Sequence, residues 1–259
     1  MMELVLEQLQ GIPTIYLIQL VFWLLAGVIS FIFSLGNARI WTSISMGFFL
    51  ILVSQFYLLN KLFYTPTVAT FTYITGTVAI MLITHGFLEY YVFCRTFEIT
   101  GRKQTVYLST MLLLLLSWVF LSINPEPSMF TVRNVKMVEN AIWVFLTLMN
   151  LEIIRKIYFS IRDSAIAKAF ICFGVVFVLI FLWKGSELYL QVFQWDRLWG
   201  NIAFQLDLDE LEFDHAIKLD DSEDYWRRIS FARQVYDYAG MLAAMAVSGT
   251  FAFLYRLLK

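Results

Sequence analysis

VYLSTMLLLLLSWVFLSI, residues 106–123, runs for eighteen positions without an Asp, Glu, Lys, Arg or His and holds five consecutive leucines, Leu112 to Leu116. Arg102 and Lys103 precede it, and Asn124-Pro125-Glu126-Pro127 ends it. As a helix rising about 1.5 Å per residue it reaches roughly 27 Å, close to the thickness of a bilayer's hydrocarbon core. Lipid offers no partner for backbone N–H and C=O groups, so a run of this kind must satisfy them internally, as a helix does. A barrel needs short alternating strands instead, and this segment does not alternate.

Six more apolar runs flank it, so the sequence predicts an all-α polytopic membrane protein with seven transmembrane helices. The expected spans are 14–34, 40–59, 70–93, 106–123, 138–154, 169–190 and 238–258. The four prolines, Pro13, Pro66, Pro125 and Pro127, all fall at run ends or between runs. The first run has no basic segment before it, only Glu3 and Glu7, and reads as a retained span rather than a leader. The whole composition agrees: 60% of the 259 residues are hydrophobic and 15% charged. A soluble domain carries about 25% charged residues, so that class is excluded, together with disordered and disulfide-scaffold classes.

Lys and Arg set the expected orientation. One face collects Arg39, Arg95, Arg102, Lys103, Arg155, Lys156, Arg162, Lys168, Arg256 and Lys259; the short loops of the other hold Lys61, Arg133 and Lys136. The N terminus is therefore expected outside and the C terminus inside, in a plasma or bacterial inner membrane. Cys94 and Cys172 then lie near the reducing side and read as packing residues.

The net charge of −1 gives no reason to expect nucleic acid as a partner, and it conceals an asymmetry. Nine of the twenty acidic residues, Asp207, Asp209, Glu210, Glu212, Asp214, Asp220, Asp221, Glu223 and Asp224, crowd into an extracytoplasmic insert expected over 193–235. Phe193, Trp195 and Trp199 open it as an interfacial belt, and 204–214 alternates as an extended or hairpin segment would. Asp220 and Glu223 have the spacing of a capping box, followed by Tyr225, Ile229, Ala232 and Tyr236 at helical spacing. That pattern predicts an amphipathic helix lying on the membrane surface and bending into the seventh span. The carboxylates read as a docking surface for a basic partner; a Ca²⁺ loop is the lesser alternative, because the glycine-centred loop pattern is missing.

Ionisable residues inside spans are costly and are candidate functional groups. His85 and Glu89 share a face of the third helix, with Asn150 and Glu152 at similar depth on the fifth. If those helices are neighbours, the four form one inner polar cluster, either a proton-relay, quinone or ligand pocket or, as we prefer, a hydrogen-bonded histidine with interfacial carboxylates paired to Arg95 or Arg155. An outer group, Lys184, Glu187 and Asp237, reads as a structural tie between insert and bundle. Ala26, Ser30 and Ser34, and Gly240, Ala244 and Ser248, form small-residue rows that let helices pack closely, internally or against another subunit. The 25 Phe, 13 Tyr and 8 Trp read mostly as lipid-facing bulk and interfacial anchors.

No phosphate-cradling loop, hydrolase elbow or zinc motif occurs, and one membrane histidine is too few for a bis-histidine haem. No cofactor, resident metal or catalytic residue is expected. The leading functional expectation is a non-catalytic integral subunit or scaffold of a membrane complex. It contacts the bilayer and other membrane or extracytoplasmic subunits, with a homo-oligomer also open. The alternatives are a seven-helix sensor and a transporter or quinone-handling protein using the inner cluster.

Overall fold

The computed structural model describes residues 14–36, 39–55, 65–98, 101–123, 127–193 and 223–258. Seven helices make up these residues, with no strand among them: α1 Thr14–Gly36, α2 Thr42–Gln55, α3 Pro66–Thr96, α4 Lys103–Ile123, α5 Met129–Ile161, α6 Ala167–Phe193 and α7 Glu223–Leu257. A 3-10 turn, Arg39–Trp41, leads into α2. All helices except α2 are long and apolar enough to cross a membrane. The segment Arg39–Gln55 is a shorter apolar helix, and the remainder of the expected second span lies outside the described residues.

Most helices outrun the apolar stretches that announce them. α5 has 33 residues, about 50 Å of helix against roughly 30 Å of hydrocarbon. Its ends therefore project beyond a bilayer core and carry charge without penalty. Local chemistry sets the boundaries. Thr65 caps α3 by accepting from the Val68 N–H at 3.2 Å, with Pro66 at the first helical position, where its missing N–H is no loss. Ser128 caps α5 in the same way through the Thr131 N–H. α3 ends at Phe97, the one non-glycine residue with positive φ (56°) among those described.

Consecutive helices run antiparallel, so that in the bundle α3 lies parallel to α5 and α1 parallel to α7. α1, α2, α3, α5, α6 and α7 close into a ring, and α4 stands outside it against α3. The ring's interior is aromatic: Phe87 meets Phe173 and Phe177 edge-on with centroids 5.2 and 5.4 Å apart, and Phe251 meets Phe33, Phe48 and Phe173. The expectation of outward-facing aromatics suits Trp118, Phe120, Phe145 and Phe159, which are exposed, but not the set at the centre of the ring. Phe33, Phe48, Phe87, Phe170, Phe173, Phe177 and Phe251, with Trp23, Trp143 and Trp183, are all fully enclosed. Six helices in a ring leave a wide centre, and large flat rings fill it in favourable edge-to-face geometry.

Small residues bring the walls together. A Cβ on Gly86 would sit 2.7 Å from the Ile44 backbone nitrogen, and one on Gly47 would sit 2.7 Å from the Ala79 carbonyl oxygen. α2 and α3 therefore meet backbone to backbone, which only glycine permits. The two small-residue rows are used within the chain. Ala26, Ser30, Ser34, Gly240, Ala244 and Ser248 are all buried, and the Ser248 hydroxyl donates to the Phe22 carbonyl at 2.9 Å, tying α7 to α1. Ser34 bonds the Tyr107 hydroxyl, and Lys103 donates to the carbonyls of Ser34 and Leu35, which holds α4 at the end of α1.

The amphipathic segment before the seventh span also differs from expectation. α7 is one helix from Glu223, and Ile229, Ala232 and Tyr236 pack against Leu190 and Tyr189 of α6. The apolar stripe read as membrane-facing is covered by a neighbouring helix, so this part of α7 runs alongside α6. The acidic positions Asp207, Asp209, Glu210, Glu212, Asp214, Asp220 and Asp221 lie outside the described residues, as do Trp195 and Trp199; Glu223 and Asp224 open α7.

Candidate functional site

Among the described residues, the buried charges gather toward the end of the ring where α1, α3, α5 and α7 begin. Lys184 on α6 is 6% exposed, Glu139 on α5 is 5% and Glu187 is 9%. An ammonium has three N–H donors, and three oxygens surround this one: Glu187 Oε2 at 2.9 Å, Asn140 Oδ1 at 3.1 Å and Glu139 Oε1 at 3.5 Å. Lys136, one turn before Glu139 and Asn140 on α5, reaches Glu187 Oε1 at 3.0 Å. The group is thus two cations and two carboxylates, balanced in charge. Lys184 also lies 4.8 Å above the Trp183 ring and 5.8 Å from that of Trp143, so indole faces stand where water otherwise would.

Each neighbouring helix adjusts to this group. Asn140 Nδ2 donates to Gln191 Oε1 at 2.8 Å, one α6 turn beyond Glu187. Gly76 on α3 faces the Glu139 carboxylate so closely that any side chain there would overlap it. Gly240 on α7 does the same for the Trp183 indole and Gln19, which would lie 2.8 and 3.0 Å from an added Cβ. Tyr16 of α1 donates to Asp237 of α7 at 2.7 Å. Beside these groups lies a partly open cavity of about 110 Å³, lined by Gln55, Tyr73, Lys136, Glu139, Lys184 and Glu187, among others. Gln191 Nε2 and Gln19 Oε1, both buried, have no hydrogen-bond partner among the described residues. Buried polar atoms seldom stay unpaired, so this end of the ring retains hydrogen-bonding capacity.

Of the expected outer group, Lys184 and Glu187 pair directly, whereas Asp237 is held by Tyr16. Lys136, Glu139 and Asn140 were not anticipated. Val138-Glu139-Asn140 marks the edge of the apolar run, and edge residues ordinarily face water. Their signal lies in phase: Lys136, Glu139, Asn140 and Trp143 recur at three- and four-residue spacing and share one face of α5.

The expected inner group divides. α3 and α5 are indeed neighbours, and Asn150 donates to the Thr84 hydroxyl at 2.9 Å, fully buried. Glu89 turns toward α2 instead. Arg39 grips it with both terminal nitrogens at 2.9 Å, and Ser43 donates at 3.2 Å. His85 Nδ1 lies 3.6 Å from Glu89 and 3.4 Å from the Ser43 hydroxyl, with its side chain 57% exposed. Glu152 points away from these groups, accepting from Arg155 at 2.8 Å with Lys156 at 3.5 Å. Arg155 is thus the expected partner of Glu152, whereas Arg95 stacks on Tyr91 and leaves Glu89 to Arg39. A cleft of about 280 Å³ runs past Arg39, His85, Glu89 and Glu98. Cys94 and Cys172 are free thiols, and no three His, Cys, Asp or Glu side chains gather as a metal site among the described residues.

Six helices long and apolar enough to cross a membrane make this a helical, multi-pass integral membrane protein in contact with lipid. No protein-family model matches the chain, and no curated protein or solved structure matches it.

Proposed function

We propose that the protein is a seven-span membrane receptor, N terminus outside and C terminus inside, that holds a small polar solute in the charged chamber between α3, α5, α6 and α7. The observation that carries this reading is the gathering of Lys136 and the buried Glu139, Lys184 and Glu187 at one partly open cavity of about 110 Å³. Enclosed charge in a membrane protein is expensive and ordinarily faces a pathway or ligand site. The two cations and two carboxylates of the wall balance one another, so a solute that exchanges into these pairs without leaving net charge carries both signs and has the size of a small amino acid. A preorganised charged wall rejects neutral solutes, because desolvating it without replacing its hydrogen bonds costs more than apolar contact returns. Tyr236 of α7 lines the chamber, and the acidic segment precedes that helix directly in sequence.

The purified protein, heated with and without small amino acids, dicarboxylates and diamines, tests this reading. An amino-acid-sized zwitterion is expected to stabilise the wild type by about 2.7 kcal/mol at a hundred times its dissociation constant. It should do nothing for Lys184→Met. If no solute of the three charge classes shifts the wild-type transition, the receptor reading fails.

The complex-subunit reading keeps one supporting observation. α4 attaches to one side of the ring, and its outward Leu108, Met111, Leu112, Leu116 and Phe120 are exposed along its length, available to another subunit as well as to lipid. Its earlier basis is weaker: sparse intramembrane charge gives way to the enclosed network, and the small-residue rows are occupied within the chain. The quinone or transporter reading relied on His85, Glu89 and Glu152 acting together, and Glu152 is paired elsewhere.

A further inference from the structure

α5 and α6 part near the basic end of the bundle and leave a groove of about 470 Å³ on the outer surface of the ring. Leu151, Ile154, Val175, Val178 and Leu179 line its length. Its floor is Gly174, where a Cβ would meet nothing within 4 Å. From Phe170 to Leu179 the α6 wall runs about 13 Å, a substantial part of one leaflet. Arg155 and Tyr158 stand at the mouth. Lys168 is exposed one turn before Ile171 and two before Val175, on the same face of α6. Arg155, Lys156 and Lys168 oppose one carboxylate here, Glu152, so the mouth keeps a positive excess. The lining of the trough is apolar, as hydrocarbon requires, and Arg155 directly follows the apolar run 138–154 expected to span the bilayer.

We propose that this groove is a specific site for one anionic glycerophospholipid, with an acyl chain over Gly174 and the phosphodiester between Arg155, Lys168 and the Tyr158 hydroxyl. Shape selects the chain, and charge selects the headgroup. Glu152 holds the Nε and Nη2 edge of Arg155, which leaves Nη1 to donate to a phosphate oxygen, and a basic pocket between helices adds roughly fivefold in affinity per cation near the surface. The site is separate from the polar chamber and does not depend on the chamber's having a solute.

The full-length protein in mild detergent, titrated with phosphatidylglycerol or phosphatidylcholine of matched chains and read by native mass spectrometry, tests the assignment. One phosphatidylglycerol should be retained about 25-fold more tightly than phosphatidylcholine, roughly fivefold for each of Arg155 and Lys168. Gly174→Leu, which has room for its side chain, should weaken both lipids by blocking the trough. Arg155→Gln combined with Lys168→Gln should bring the two lipids to parity while leaving chain binding in place. Equal affinity of the wild type for both lipids overturns the proposal, and so does unchanged retention in Gly174→Leu. Conversion of a dimer to a monomer by Gly174→Leu, with lipid retention unaltered, assigns the groove to a second copy and overturns it as well.

Discussion

Lys184→Met removes the ammonium at the centre of the charged chamber while keeping an unbranched apolar stem of similar length. The wild-type group makes contacts at 2.9, 3.1 and 3.5 Å to Glu187, Asn140 and Glu139, and it is 6% exposed. Its loss leaves two buried carboxylates to share Lys136, which pairs with Glu187 at 3.0 Å in the wild type. Breaking a buried pair by deleting one partner costs about 3–5 kcal/mol, mostly because the remaining charge is uncompensated. Cation–π contacts with Trp183 and Trp143 add about 1 kcal/mol. The expected loss is therefore about 4–6 kcal/mol, large for any single substitution. Lys184→Met combined with Glu139→Gln removes one charge of each sign, and most of that loss should return, leaving a deficit of about 1–2 kcal/mol. The coupling between the two positions is then at least 2 kcal/mol. Reversible unfolding in mixed micelles, followed by far-UV circular dichroism, measures all three variants. A single-variant cost below 1 kcal/mol, or a double variant equal to the sum of the singles, would refute the view that these side chains act as one charge-balanced unit.

Two further outcomes follow from the packing and the ion pairs. Gly86→Ala should cost about 1–3 kcal/mol in the same unfolding assay, because its methyl meets the Ile44 backbone at 2.7 Å and α2 and α3 must separate. Gly174→Ala, with open space around it, is the matched control and should unfold like the wild type. Glu89→Gln should destabilise by roughly 1–2 kcal/mol through the lost bidentate grip of Arg39. Glu152→Gln should leave the midpoint unchanged, since its pair with Arg155 stands in solvent; equal effects at both positions would refute the division of the inner group.

How far the site could be read from sequence depended on the range of its contacts. Lys184 and Glu187 are three apart on one helix, and their pairing follows from helical geometry alone. Arg39 and Glu89 are fifty residues apart, on different elements, and nothing local selects Arg39 over the nearer Arg95. Glu139 sits at the boundary of an apolar run, where hydropathy cannot distinguish a residue facing water from one turned into the bundle. Only the neighbours α3 and α6, with Gly76 yielding space and Lys184 supplying charge, turn it inward. The aromatic residues show the same ambiguity. A phenylalanine is equally compatible with lipid and with a helix-bundle core, so Phe87 or Phe173 has no location until its neighbours are known.

What the sequence by itself determined is the existence and helical nature of the long apolar segments. Each depends only on its own residues: a backbone that must bond to itself in hydrocarbon, over a length the bilayer prescribes. Glycine and serine at four-residue spacing likewise established that helices would come close. Which helices meet was decided by tertiary structure. The ring order, the aromatic centre, α4 outside it and the gathering of Lys136, Glu139, Lys184 and Glu187 all arise from contacts between segments distant in the chain. In lipid the hydrophobic effect does not rank one helix pair above another; shape and polar complementarity do, and these exist only between faces already brought together.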